Sequence, residues 1–63
     1  MTFKPGDRIK IDATTDSRLA AKTDGQYGTI LRNAAYCNKL DYAVKLDTNP
    51  FVLSYSHMDL MPA

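Results

Sequence analysis

The chain has 63 residues, eight Lys and Arg against seven acidic residues, all Asp, for a net charge of +1, and an apolar fraction of 44%. That near-neutral balance excludes the strongly basic footprint of sequence-independent phosphate binding, and the lone Cys37 excludes a disulfide within the chain and a cysteine-rich zinc site. A single domain of this size, 1–63, buries only about 60% of the surface its unfolded chain would expose, so self-association is the expected source of further burial.

The opening Met1-Thr2-Phe3-Lys4-Pro5 lacks the apolar core of a signal peptide, and the longest uncharged run, residues 48–58, falls far short of the ~18 apolar residues of a membrane span. A cytoplasmic protein with no membrane contact is the expectation. Gly6-Asp7 is a turn pair, and Arg8-Ile9-Lys10-Ile11-Asp12 alternates charged and β-branched residues, which predicts a first strand with Ile9 and Ile11 inward. Residues 13–24 are small and polar. They predict a long loop with one helical turn over residues 17–22, capped by Thr15 or Asp16 and anchored by Leu19.

Asp24-Gly25 closes that loop, and residues 26–33 predict a second strand in which Gly28 marks a bend or bulge. Residues 34–39 form a connection carrying Tyr36 and Cys37. The clearest strand follows over residues 40–47, where Tyr42, Val44 and Leu46 alternate with Asp41, Ala43, Lys45 and Asp47. Apolar runs on both sides of it make it the central strand. Thr48-Asn49-Pro50 is a tight turn, Phe51-Val52-Leu53-Ser54 a fourth strand, and Tyr55-Ser56-His57-Met58 one turn of 3₁₀ helix. Asp59-Leu60-Met61 is a short edge strand ended by Pro62. Together these elements describe an all-β fold, an SH3-like, strongly bent five-stranded barrel with one short helical turn.

Two resemblances follow from particular residues. Gly6-Asp7-Arg8-Ile9, Gly25-x-x-Gly28-Thr29-Ile30 and Asp59-Leu60-Met61-Pro62 resemble bacterial SH3-like domains, including those with the KOW-type glycine spacing. The order Gly6-Asp7-Arg8-Ile9, Gly28-x-Ile30, Tyr36-Cys37, Tyr42-Ala43-Val44, Pro50, Val52-x-x-Tyr55 and Leu60 is similar to the plasmid-borne type II dihydrofolate reductases of trimethoprim resistance. The second resemblance spans most of the chain outside residues 13–24. It implies a tetramer around one central pore that binds NADPH and dihydrofolate together and promotes reduction mainly by placement. The family's pore motif is Val-Gln-Ile-Tyr, whereas this chain has Val52, Leu53, Ser54 and Tyr55, and the family's pore lysine falls on Ile11. Leucine cannot supply the glutamine's hydrogen bonds.

The resemblance makes Val52, Leu53, Ser54 and Tyr55 the candidate ligand-binding residues and Tyr55 the candidate catalytic one. Tyr27 and Tyr36, with Tyr55, form a possible protein-binding shelf, since SH3-like barrels bind extended peptides across aromatic surfaces. His57 has no partner set for a triad, and no metal-ligand spacing, paired carboxylates or phosphate-cradling glycine loop is present. The expected function is a non-catalytic SH3-like binding or assembly module that self-associates or docks on a protein, with no cofactor. The alternatives are a type II-like reductase using NADPH and a KOW-like RNA-associated domain, the last disfavoured by the near-zero charge.

Overall fold

A computed structural model of the chain describes residues 2–33 and 41–63. Its elements are strand β1 (Arg8–Ile11), helix α1 (Arg18–Thr23), strands β2 (Tyr27–Asn33), β3 (Asp41–Leu46) and β4 (Val52–Ser56), a 3₁₀ turn (His57–Asp59) and strand β5 (Leu60–Pro62). The five strands form one antiparallel sheet in the order β4-β3-β2-β1-β5. No ladder joins β4 to β5 among the described residues, so the sheet is not closed into a ring. No helix among these residues is long and apolar enough to cross a membrane.

Strand alternation builds the core. Ile9 and Ile11 on β1, Ile30 on β2, and Val44 and Leu46 on β3 are 1% exposed or less and face Tyr42, Tyr55 and Leu60 across one interior. Phe3, ahead of β1, closes one end. Its ring meets the edge of Tyr42 at 5.5 Å between centroids, and its N–H donates to the Tyr42 hydroxyl at 3.1 Å. β3 is flanked on both sides, by β2 and β4, as its pattern predicts.

Several local details differ from the sequence expectation. The helix is capped by Ser17, whose hydroxyl accepts from the Ala20 N–H at 3.3 Å, because Thr15 is engaged elsewhere. Its hydroxyl donates to Asp59 and accepts from the Ser17 N–H. Ala20 and Thr23, not Leu19, are the residues α1 buries; Leu19 packs at the margin. In β2 the register slips between Ile30 and Arg32, which leaves Leu31 as the extra residue of a bulge, whereas Gly28 keeps regular pairing with Ile9 and Leu46.

β4 begins at Val52, one residue later than predicted, because the Asn49 side chain holds the Phe51 N–H at 2.8 Å and keeps Phe51 in the turn. It runs to Ser56, taking in Tyr55 and Ser56, which the sequence pattern assigns to the 3₁₀ turn. Asp59 belongs to the 3₁₀ turn and Pro62 to β5. A proline is tolerated there because β5 is an edge strand; the Ala63 N–H continues the ladder inward to the Arg8 carbonyl at 3.2 Å.

Candidate binding surfaces

The Val52–Tyr55 motif falls within one strand, and alternation divides it between two faces. Tyr55 lies opposite Tyr42 and Leu53 opposite Val44, both pointing to the core; Val52 lies opposite Lys45 and Ser54 opposite Ala43, both outward. Tyr55 is 3% exposed. The Thr23 hydroxyl has one hydrogen, committed to the Leu19 carbonyl at 2.8 Å, so the Tyr55 hydroxyl is the donor in their 2.7 Å bond. That bond ties α1 to β4.

In a single copy these four residues do not make a grip for NADPH. Leu53 has no polar group, the Tyr55 hydroxyl is used internally, and Ser54 alone offers a hydroxyl outward. Burial, the largest influence, pushes the Tyr55 phenol above its ordinary value. A neutral phenol held above its unfolded value contributes stability that is present below about pH 10 and is lost as pH rises through the native value. Tyr55→Phe is expected to lower stability by about 1 kcal/mol and to remove a component of the tyrosinate absorbance that titrates above the ordinary tyrosine value. An unchanged alkaline titration would place that component on another tyrosine.

The outward face of the sheet carries a different set of side chains. Across it, Val52, Lys45, Thr29 and Arg8 form one row, and Tyr27, Lys10 and Met61 the next. Tyr27 is 46% exposed and Met61 40%. The Lys10 ammonium stands 5.7 Å from the Tyr27 ring centroid, a cation–π contact. Arg8 grips Asp47 through two bonds of 2.7 Å, with a further bond to Thr29. The bond to Asp47 raises the Arg8 guanidinium's pKa, and the same bond lowers the Asp47 carboxyl below its ordinary value. Of the tyrosine shelf, Tyr27 is on this face and Tyr55 is not; Tyr36, like Cys37, lies outside the described residues.

Other places carry less chemistry. An open depression of about 340 Å³ is lined by Thr2, Phe3, Asp7, Arg8 and Pro62, but its charged groups are engaged, Asp7 by the Lys4 N–H and Arg8 by Asp47. The His57 Nδ1 is shielded and without a partner, and no group of three His, Cys, Asp or Glu could hold a metal among the described residues.

The polar residue that sequence reasoning missed is Asp59, 1% exposed, whose carboxylate organises the start of the 13–24 loop. Its signal was the Thr14-Thr15 pair. A long polar segment in so small a domain needs an acceptor to hold its backbone donors. Comparison with protein-family models, with curated proteins and with solved structures finds no match for this chain.

Proposed function

We propose that this chain is a non-catalytic binding and assembly module, an SH3-like barrel that self-associates through the outer edge of β4. The strand order, with a 3₁₀ turn between the last two strands, is the order such barrels use and supports the fold part of the reading. The observation that carries the assembly part is the condition of β4. Among the described residues it pairs on one side only, residues 48–58 carry no charge, and Phe51 and Val52 are 69% and 50% exposed beside it. Sheet edges that stay single are ordinarily guarded by charge, proline or a bulge. β4 has none of these within its span.

Light scattering over a concentration series tests this. The wild type is expected to form a dimer or larger assembly with a melting temperature that rises with concentration, and Val52→Lys with Ser54→Lys, both outward positions, to shift it to a folded monomer whose melting temperature no longer depends on concentration. A wild type that stays monomeric throughout overturns the assembly reading.

The second reading is a type II-like dihydrofolate reductase, and it is favoured by one observation: the Val52-x-x-Tyr55 frame falls on β4, the strand whose bare edge could bring copies together. It requires a tetramer with a shared pore, and Tyr55 would have to be reached from that pore. A tetramer whose melting temperature rises with added NADPH would favour it, as ligand linkage demands.

A further inference from the structure

We infer that the outward face of β1, β2 and β3 is a docking surface for an extended acidic segment of a partner protein that carries aliphatic side chains between its carboxylates. This surface is separate from the β4 edge, and the inference stands whether or not the chain self-associates. By alternation the face presents Arg8, Lys10, Arg32 and Lys45 against Asp12, Asp41 and Asp47. Four cations therefore stand against three acids on this face, and two of the acids lie at its ends, Asp12 just past β1 and Asp41 at the start of β3. Asp47 is already neutralised by Arg8, so Lys10 and Lys45 set the field over the middle of the face. The Lys45 ammonium is held back on the Leu46 carbonyl at 2.7 Å with Asp47 in its electrostatic reach, and Lys10 leans over Tyr27 with no ion pair to a carboxylate among the described residues.

The apolar component is interleaved with these charges. Tyr27 and Met61 lie on either side of Lys10, each exposed by two fifths or more. Alternating cation and apolar positions at strand spacing match an extended segment that alternates acid and aliphatic residues. A second copy of the chain is a poor occupant, because face-to-face docking sets Lys10 and Lys45 against the same charges. Single-stranded nucleic acid is also a poorer fit. Its bases need open aromatic platforms, and the one aromatic on this face among the described residues, Tyr27, already has Lys10 over its ring.

The test is selection of a random peptide library, of about twelve residues to span the strands, against the immobilised full chain, with oligouridine of the same length as a competing probe. Enriched peptides are expected to carry Asp or Glu beside Ile, Leu or Val. They should bind the wild type about tenfold more tightly than Lys10→Glu/Lys45→Glu, and to perturb the amide resonances of residues 10, 27 and 61. The melting temperature of the double variant, measured alongside, confirms that it is folded. Tyr27→Ser offers a second route that leaves the charges intact and is expected to weaken the same peptides. Peptides enriched without acidic bias, equal affinity for the charge-reversed variant, or no enrichment at all would overturn the inference. Tighter binding of oligouridine would overturn it in favour of a nucleic-acid surface.

Discussion

Asp59→Ala is expected to leave the chain largely unfolded at room temperature. The Asp59 carboxylate accepts three bonds from the start of the 13–24 loop: Oδ1 takes the N–H groups of Thr14 and Thr15, both at 2.9 Å, and Oδ2 takes the Thr15 hydroxyl at 2.7 Å. The Thr14 hydroxyl and the Asp12 N–H close the same contact by donating to the Met58 and Asp59 carbonyls. Alanine strands three part-buried donors at about 1–3 kcal/mol each where water cannot replace the acceptor, so the loss is about 3 kcal/mol or more. A domain of this length has roughly 3–9 kcal/mol in all. Asp59→Asn is the informative control. Its carbonyl oxygen still serves both N–H groups and its amide donates to the Thr15 oxygen, which reduces the loss to about 1–2 kcal/mol. Urea unfolding followed by circular dichroism separates the two; equal midpoints would show that the carboxylate does not hold the loop.

The same contact makes stability acid-sensitive. Burial, the largest single influence, pushes the Asp59 carboxyl up, but the bonds from Thr15 and Thr14 together outweigh it and hold its pKa below the ordinary value. The folded state therefore binds this proton less tightly than the unfolded state. The resulting stability is fully present above the ordinary Asp value of about 3.9 and is lost as pH falls from there through the native value. In Asp59→Asn that acid-dependent loss is expected to shrink, because the asparagine has no proton to gain. Asp47, whose carboxyl is lowered by Arg8, still contributes to the slope below about pH 4 in that variant.

Strand positions were legible because alternation is a property of the local chain. Ile9 and Ile11, or Tyr42, Val44 and Leu46, each need only a two-residue period to be placed inward, and all five are buried. The charge-free character of β4 was legible for the same reason. What escaped depended on contacts between distant segments. Asp59 meets Thr14 and Thr15 across 45 and 44 residues, and no local pattern distinguishes it from the other Asp residues. Ser17 rather than Thr15 caps α1 because Thr15 is drawn into that same contact. Tyr55 was placed by resemblance in a ligand site and grouped with Tyr27 and Tyr36 as a shelf. The structure of a single copy puts it in the core, and its hydroxyl on Thr23, a residue that carried no signal of its own.

Gly28→Ala is expected to lower the melting temperature by about 10 °C or more, the opposite of what strand propensity predicts. Inside a strand alanine ordinarily gains about 0.5–1 kcal/mol over glycine through backbone entropy. Here a Cβ would stand 2.8 Å from the Lys45 carbonyl oxygen and 3.1 Å from both the Cα and a methyl of Leu46. Two of those three atoms are backbone, so relief requires β3 to move away from β2. That movement would open the Gly28–Leu46 pairing and the packing of Ile30 on Val44 and Leu46, which lie at the centre of the core. Overpacking of this kind costs about 1–3 kcal/mol. Gly25 provides the contrast, since it has φ +84 and open space where a Cβ would go. Gly25→Asn should be tolerated better than Gly25→Ala, because asparagine enters the left-handed region more readily, whereas Gly28→Asn should be worse than Gly28→Ala because it is larger. The Gly25-x-x-Gly28 spacing is then explained by two unrelated demands of the backbone, one conformational and one steric, without an RNA ligand. A Gly28→Ala variant that melts with the wild type would show that β2 and β3 can part without loss, and would reopen the spacing to a functional explanation.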